Sequence, residues 1–435
     1  MKKIKIAIIL ILTIIITTLY FYFYSKFTND AAWNYGFAYN ITKGLIPYKD
    51  YNMIITPLFP YLLSLLIFIF GNKLILYYIF IAALTVLTTY IVSKKIGYKS
   101  IIIYLLLLVL HDLGYNVLIL FLFMILLSLI DKDNKNEVLI AIVISLMILT
   151  KQTLGVLIIP SIIFSKKKKK TIIIYIITIL LTLIYLICNN SIYSFIDYCF
   201  LGMLDFTSKN SSKFTMLTIA ELVVSLSLIT AIIKGRSKNR ELIYIFLFQI
   251  IAIPIIDIYH FIMAFIPVLY YILYRINNKH INYLIYLVII SFSIGYNIWQ
   301  LDYSLETLYN KKTSFMYKKR VPNYLNGYFK YINKEKNNYK GYRIYILDSR
   351  AYLIKLELGL KINKYDLINN GNMGYKGSDK YIKEIRNYCK KNKCAFFINY
   401  EKTEQINKEI INYITKNYRQ ATSTSQDNLD NIYIN

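Results

Sequence analysis

Long apolar runs alternate with short polar breaks over roughly the first 300 residues of the chain. The first run, residues 6–24, follows Met1-Lys2-Lys3 and has no small-residue cleavage site after it. We therefore interpret it as an uncleaved membrane helix and not as a signal peptide. The next run, Pro57 to Phe70, has 14 residues, whereas a full membrane span needs roughly 20. We expect this segment to be re-entrant or to lie in the membrane interface.

The later polar breaks are of two kinds, and the two kinds alternate along the chain. We call the two kinds basic breaks and mixed breaks. The basic breaks and the N-terminus together carry 19 Lys and Arg residues, whereas the mixed breaks carry one, Lys151. The positive-inside rule places the basic breaks and the N-terminus in the cytoplasm and the mixed breaks outside. The basic breaks are 94–99, 132–135, 166–170, 234–240 and 275–279, and the mixed breaks are 111–116, 151–153 and 257–260.

This alternation predicts an α-helical polytopic membrane protein with about eleven transmembrane helices, provided that Pro57 to Phe70 does not cross. Several crossings are short, so we expect their outer ends to lie below the membrane surface, in a cavity lined by other helices. A second topology joins 101–130 and 137–164 into single long helices; it has two crossings fewer, so the parity at the C-terminus is unchanged and charge alone does not exclude it. The eleven predicted crossings are 6–24, 73–93, 98–110, 117–130, 137–150, 153–165, 171–188, 217–233, 241–256, 261–275 and 281–299.

The pattern changes near Gln300, where long apolar runs stop and Lys, Asn and Tyr dominate. We therefore predict two domains: a transmembrane domain, 1–299, whose first external loop is 25–72, and a small α/β domain, 300–435, which lies outside the cell membrane by the parity of the crossings. Within the second domain the pattern predicts strands at 342–347, 394–400 and 432–434, helices at 379–391 (with Ser378 as N-cap) and 401–418, and a tight turn at 369–372.

Composition supports the membrane assignment. The chain has 435 residues, 57% of them hydrophobic, and a mean hydropathy of +0.44, which is typical of a multi-pass protein of the plasma or inner membrane. The net charge of +27 follows from the lysines of the breaks and tail, which form no continuous patch, so we predict no nucleic-acid partner. The four cysteines form no C-x-x-C motif. Cys389 and Cys394 would form a disulfide in an oxidising exterior or stay as two free thiols.

One stretch, residues 29–71, carries a sequence pattern of its own. It contains Asp30, then Gly44-x-x-Pro47-Tyr48-x-Asp50, then Thr56-Pro57-Leu58 at the start of the short apolar run. The pattern resembles the first external loop of the GT-C membrane glycosyltransferases, the group that includes protein O-mannosyltransferases and the aminoarabinose transferase of lipid A. The acidic residue that usually accompanies the catalytic Asp is replaced here by Ala31.

The resemblance implies a GT-C-like fold and an enzyme that moves a sugar from a polyprenyl-phosphate donor to an extracytoplasmic acceptor, with Asp30 as general base. A carboxylate at the mouth of a membrane site suits that role. The alternative for Asp30 is a helix cap or a solvated loop position. Expected partners are the lipid-linked donor, membrane lipid and an acceptor in the cell envelope.

Further ionisable residues lie in the same stretch and in the mixed breaks. A lysine at membrane depth needs an anionic partner, which would be the donor phosphate or Asp112 for Lys151. Alternatively, Lys151 extends to the membrane interface. In the alternative for Lys49 and Asp50, the two form an exposed ion pair in a loop, which contributes little to the stability of the protein. We predict that the donor phosphate is bound by Lys49, Lys151, Gln152 and His260, with Tyr48, Asp50, His111, Asp112 and Asp257 in support.

We predict no cofactor. A divalent metal held by His111, Asp112, Asp257 and His260 is the lesser alternative. Two other functions compete with glycosyl transfer: a transporter or flippase of a lipid-linked saccharide, and a non-catalytic scaffold for polymer assembly. Transporters often contain internal repeats, and the sequence shows none.

Overall fold

The computed structural model describes residues 2–23, 29–130, 136–202, 204, 216–234, 240–252, 257–275, 279–308, 323–348, 350–360, 363–365, 373–399, 406, 408–423 and 431–435. This part of the chain is mostly helical, with one small sheet. The helices of the first 308 residues are α1 (Lys2–Phe23), α2 (Asn29–Thr42), α3 (Leu58–Phe70), α4 (Ile75–Ile96), α5 (Ser100–Val109), α6 (Tyr115–Ile130), α7 (Glu137–Ile148), α8 (Ile158–Ile163), α9 (Lys168–Cys188), α10 (Ile192–Ile196), α11 (Met216–Lys234), α12 (Arg240–Phe248), α13 (Ile258–Arg275) and α14 (Lys279–Leu308).

Apolar helices indicate a membrane-associated protein. Within the described residues, five helical segments are long and apolar enough to cross a membrane: Ile4–Phe21, Ile75–Val109, Lys168–Cys188, Met216–Lys234 and Ile258–Arg275. Several of the remaining predicted crossings are shorter apolar helices. The count of eleven crossings is therefore not confirmed and stays a prediction.

The chain reverses direction at the first mixed break. Tyr77, near the start of α4, donates a hydrogen bond to the carbonyl of Asp112, just beyond the end of α5, at 2.8 Å. α4 and α5 are therefore antiparallel, and the chain turns between them at the basic break 94–99, where Gly97 adopts a φ of 60°. α6 then packs against α4 again, so α6 does not continue in the direction of α5.

A second reversal occurs at Lys151. The Glu137 carboxylate, at the start of α7, accepts hydrogen bonds from the backbone N–H groups of Lys166 and Lys167, just beyond α8. α7 and α8 therefore run antiparallel, with Lys151 at the far end of the pair. Both reversals follow the alternation of basic and mixed breaks and not the topology with two long helices.

The described breaks gather at opposite ends of the bundle. At the basic end, Lys99 donates to the carbonyl of Leu273, Arg275 pairs with Glu241, and Arg240 donates to the carbonyl of Phe164. The other end, which we call the mixed end, holds residues 111–116, 151–153 and 257–260. Tyr20, near the end of α1, contacts His111 there, so α1 runs from the basic end to the mixed end.

The predicted first external loop contains two helices, α2 and α3, which pack against each other. In α2, Ala32, Tyr35, Phe37 and Ala38 are all buried, and this burial stabilises a segment of weak helix propensity. The external position of 25–72 stays a prediction. α3 is 13 residues long, too short to cross at 1.5 Å per residue.

The C-terminal residues form an α/β unit with a four-stranded sheet of order β1-β2-β4-β3. β1 and β2 are parallel, and the other two pairings are antiparallel. Cys389 and Cys394 are joined by a disulfide. The elements are α15 (Asn323–Asn338), β1 (Arg343–Leu347), α16 (Ala351–Leu358), α17 (Gly377–Cys389), β2 (Cys394–Ile398), α18 (Lys408–Asn417), β3 (Arg419–Ser423) and β4 (Asn431–Ile434).

Several predicted boundaries in this unit differ from the structure. The helix expected at 379–391 begins at Gly377, so its N-cap is Lys376 and not Ser378. α15, α16 and β3 were not predicted, and α14 continues to Leu308, beyond the predicted boundary at 299. The expected turn at 369–372 and the start of the helix expected at 401–418 lie outside the described residues.

The C-terminal unit docks on α2 through α16. The ring of Tyr352 lies so close to Gly36 that a Cβ at Gly36 would overlap it. The Asn40 amide donates to the Tyr352 hydroxyl at 3.4 Å, and the N–H of Asn52 donates to the carbonyl of Lys364 at 2.8 Å. These contacts place the C-terminal unit over the helix that carries Asp30.

Candidate functional site

Asp30 lies in the first turn of α2 and is partly buried. The indole N–H of Trp33, one helical turn later, donates to Asp30 Oδ1 at 2.9 Å. Burial raises the pKa of Asp30; the Trp33 hydrogen bond and the charge of His260 oppose this shift, and the charges of Asp112 and Asp257 reinforce it. The result is a carboxylate that binds a proton more readily than an ordinary aspartate.

Asn34 connects α2 to the first mixed break. Its amide donates to the Asp30 carbonyl at 2.8 Å, and its side chain lies against Gly114. A Cβ at Gly114 would lie 2.9 Å from that side chain, and Gly114 has a φ of 38°, so both the close approach and the backbone conformation favour glycine. This contact brings α2 up against the residues that follow His111 and Asp112.

His111 and Asp112 are both buried at that break. The Nδ1 atom of His111 lies 2.7 Å from the carbonyl of Leu108, and its Nε2 atom lies 3.5 Å from Asp112 Oδ2. The imidazole also packs edge-on against the ring of Tyr20. The His111 ring is therefore fixed in position, and Asp112 adds negative charge to the surroundings of Asp30.

Asp257 and His260 form a pair at the third mixed break. Asp257 Oδ1 lies 2.9 Å from His260 Nδ1 and accepts the backbone N–H of His260 at 2.8 Å. Burial alone would raise the pKa of Asp257, but the hydrogen bonds and the charge of His260 outweigh it and lower the pKa. Asp257 is thus held as a carboxylate beside the His260 ring.

Lys151 extends toward Tyr115, with its ammonium 5.8 Å from the ring centroid. The same ring lies 5.8 Å from the Trp33 ring, so Lys151 and Asp30 are linked through two aromatic side chains. Burial lowers the pKa of Lys151 to about 8, and the charge of Asp257 partly restores it. Lys151 therefore carries a charge at neutral pH that has lost part of its hydration.

The structure thus brings together six of the predicted residues: Asp30, His111, Asp112, Lys151, Asp257 and His260. Each of them lies beside, or interacts electrostatically with, at least one other member. They come from α2 and from all three mixed breaks, and so lie at one end of the bundle.

The other predicted site residues lie elsewhere or bind neighbouring backbone. Lys49 is exposed, and Asp50 accepts the N–H of Ile46 in its own turn at 2.7 Å. Tyr48 is buried at a φ of 67° and donates to the carbonyl of Ile55. The Gln152 amide donates to the carbonyls of Ile54 and Cys199, at 3.1 and 2.7 Å. Tyr48, Asp50 and Gln152 therefore stabilise the loop between α2 and α3, and the donor-binding roles assigned to Lys49 and Gln152 stay predictions.

Sequence reasoning missed Trp33 and Tyr115, which surround the carboxylate and the lysine. A signal for Trp33 was present, because residues three apart share a face once α2 is recognised as a helix. Tyr115 follows the mixed break directly, but its side-chain direction depends on the reversal at Gly114.

Buried polar atoms without a hydrogen-bond partner among the described residues occur on α2 and in the mixed breaks. They include Asn34 Oδ1, Asn116 Oδ1, Gln152 Oε1 and Thr153 Oγ1. Such atoms cost free energy unless something binds them. The mixed end is therefore suited to a polar ligand.

Within the described part of the chain, no three His, Cys, Asp or Glu side chains are grouped so that they could hold a metal ion. The arrangement offers a partly buried base, a partly buried cation and an imidazole paired with a carboxylate. Comparison with protein-family models gives no match, and comparison with curated proteins gives none either.

Proposed function

We propose that this chain is a membrane glycosyltransferase that moves a sugar from a polyprenyl-phosphate donor to an acceptor outside the membrane. The observation that carries the proposal is the gathering of Asp30, Lys151 and the Asp257–His260 pair at one end of the bundle. Transfer from such a donor needs a base for the acceptor and a cation for the departing phosphate, and this end supplies both.

In the proposed reaction Asp30 takes the proton from an acceptor hydroxyl or amine as that group attacks the anomeric carbon of the sugar. The bond between that carbon and the phosphate oxygen breaks, and its electron pair leaves with the polyprenyl phosphate. A carboxylate with a raised pKa is a stronger base and suits this proton transfer.

Lys151 would bind the phosphate, with His260 as a second contact. A buried ammonium attracts an anion more strongly than an exposed one, because less water screens the interaction. Tyr115 and Trp33 form an aromatic wall between the two groups, and aromatic rings commonly pack against the apolar faces of ligands.

Placement in the membrane is part of the proposal. The basic end would face the cytoplasm, by the positive-inside rule, and the mixed end with the C-terminal unit would face the exterior. A disulfide in the C-terminal unit suits an oxidising compartment. The remaining predicted crossings and the multi-pass cell-membrane location belong to this proposal.

The experiment uses the full-length protein in nanodiscs with a panel of polyprenyl-phosphate sugars. Donor binding and consumption of the donor with release of polyprenyl phosphate are measured separately. Binding with release supports the transferase. A transporter would instead move a labelled lipid-linked saccharide across liposomes that contain the protein without releasing polyprenyl phosphate, and that outcome would replace the proposal.

A further inference from the structure

A groove of about 620 Å³ runs along the outer flank of α17 in the C-terminal unit. It arises because α17 packs its Tyr381, Ile385 and Cys389 side chains inward. The intervening positions, including Lys383 and Asn387, then face the groove. The volume lies within the range of about 300–1,000 Å³ that is usual for small-molecule sites.

The opposite wall of the groove is the short segment 363–365, which is held from two sides. Arg343 of β1 donates to the Asn363 side chain at 2.8 Å. The N–H of Asn52, in the loop after α2, donates to the carbonyl of Lys364 at 2.8 Å. Tyr365 is buried and packs against both Tyr381 and Tyr198. The groove is therefore formed before any ligand binds, and it borders the mixed end of the helix bundle.

The groove carries a surplus of positive charge. Two of its four charged side chains are paired: Lys380 with Asp197, and Glu384 with Arg343. Lys364 and Lys383 also line it, and the structure shows no carboxylate paired with either within the residues it describes. Lys364 lies over the Tyr365 ring, 5.7 Å from its centroid. Since neither lysine has a carboxylate partner among the described residues, both ammonium groups can contact an anionic ligand.

The uncharged groups of the groove suit a sugar. Asn387 and Asn392 are exposed amides that can both donate and accept hydrogen bonds, as sugar hydroxyls require. The Asn392 amide already donates one hydrogen bond to the carbonyl of Tyr388, at 3.0 Å, which leaves its second N–H and its oxygen for a ligand. Tyr388, with Arg343 stacked 4.3 Å from its centroid, presents a half-buried ring on the same side. Amides and an aromatic ring beside two lysines that have no carboxylate partner among the described residues are a combination that recognises rings bearing both hydroxyls and negative charges.

We propose that this groove binds an anionic saccharide, whose sugar rings carry carboxylates or phosphates, and that this saccharide is the acceptor. The second half of this statement rests on the proposed transferase function, whereas the binding itself does not. Because the groove borders the loop between α2 and α3, an acceptor chain bound there would extend toward the helix that carries Asp30.

The test measures binding to the full-length protein in nanodiscs, without donor, by microscale thermophoresis. The probes are a hexamer of galacturonic acid, a phosphorylated glucose hexamer, neutral maltohexaose and hexaglutamate. We expect at least one of the two charged hexasaccharides to bind at least tenfold more tightly than maltohexaose and hexaglutamate. The two charged probes distinguish a carboxylate-bearing from a phosphate-bearing ligand.

Two pairs of matched variants locate the site. The double variant Lys364→Gln/Lys383→Gln should weaken binding about five- to tenfold, since two exposed charge contacts are lost. The control Lys408→Gln/Lys416→Gln removes the same charge from the exposed face of α18 and should change the affinity less than twofold. Asn387→Ala should weaken binding, whereas Asn412→Ala on α18 should not.

The proposal is overturned if neither charged hexasaccharide binds, if hexaglutamate binds equally well, or if both lysine pairs weaken binding equally. Failure of the transferase function has a different signature, namely groove-dependent binding of the saccharide with no release of polyprenyl phosphate from any donor.

Discussion

Asp30 and Asp257 are both carboxylates at the mixed end of the bundle, yet their environments shift their pKa values in opposite directions. Burial raises the pKa of Asp30, whose side chain accepts a hydrogen bond from the indole N–H of Trp33. The pKa of Asp257 is lowered in spite of burial, because His260 lies beside it. Two like groups whose environments separate their pKa values commonly divide proton transfer and charge stabilisation between them. This difference favours Asp30 as the base and assigns Asp257 to holding His260.

The charge of Lys151 should make donor affinity depend on pH. With a pKa lowered to about 8, Lys151 is charged in the free protein below that pH, and donor binding then needs no proton uptake. Above that pH a proton must bind with the donor, so donor affinity should fall by up to about tenfold per pH unit. The donor phosphodiester keeps its single negative charge throughout.

Lys151→Met should therefore weaken donor binding at pH 7 and abolish the fall in affinity between pH 8 and 9. Lys49→Met is the matched control, because Lys49 is exposed, and it should keep the fall. Donor titrations at several pH values measure both. If the Lys151 variant keeps the fall in affinity, Lys151 does not bind the donor phosphate.

Residue types and spacing were enough to nominate the charged members of the site but not to separate them from Lys49 and Asp50. All are ionisable residues in or near breaks of an apolar chain. The distinction depends on tertiary structure: Asp50 has a backbone N–H partner four residues away, whereas the charges that act on Asp30 come from two breaks far apart in the sequence, 111–116 and 257–260. Gln152 was expected to bind ligand because it follows Lys151, but its amide donates to the backbone carbonyls of Ile54 and Cys199.

At the scale of elements, hydrophobic pattern predicted the apolar helices and their breaks better than the elements of mixed composition. Breaks such as 111–116 appear as reversals because a polar, glycine-containing segment cannot continue an apolar helix. α2 was missed because its sequence alternates small, aromatic and amide residues without a clear helical period. β3, with the polar sequence RQATS, carries no strand signal and forms only because β4 pairs with it.

The contact between α2 and α16 can be tested with a single methyl group. Gly36→Ala would place a Cβ inside the van der Waals surface of the Tyr352 ring, and overpacking of this kind typically costs about 1–3 kcal/mol. We expect amide hydrogen exchange in 351–358 to become at least about fivefold faster, since α16 would be displaced from α2.

Gly295→Ala is the control, because Gly295 is also helical but no atom lies within 4 Å of the position that an added Cβ would take there. It should leave exchange in 351–358 unchanged. In a protein that already carries Tyr352→Ala, Gly36→Ala should cause no further increase in exchange, because the ring that it overlaps is gone. Exchange that stays slow in the Gly36→Ala protein would mean that α16 is not docked on α2.

At the scale of the whole molecule, the helices carry charge at two opposite ends, and the C-terminal unit sits at the mixed end. The alternation of breaks predicted the two ends, because it is a property of the chain read in order. The docking could not be predicted in this way, since Asn40 and Tyr352 are 312 residues apart and neither belongs to a recognisable motif.

Opposite placement of the two ends can be measured by cysteine labelling in intact cells. The chain for this test has Cys188 and Cys199 replaced by serine, with single cysteines introduced as Lys169→Cys or Lys416→Cys. A membrane-impermeant maleimide should label residue 416 in intact cells and residue 169 only after permeabilisation. Labelling of both residues from the same side would contradict the proposed orientation.

The most direct test of the account is the rate of sugar transfer by Asp30→Asn compared with the wild type. Asparagine keeps the shape of the side chain and can still accept the Trp33 hydrogen bond, but it cannot take the acceptor proton. Loss of a positioned base typically lowers the rate by about 10²–10⁴-fold. We expect such a loss with donor affinity nearly unchanged. Full transfer by Asp30→Asn would contradict this expectation.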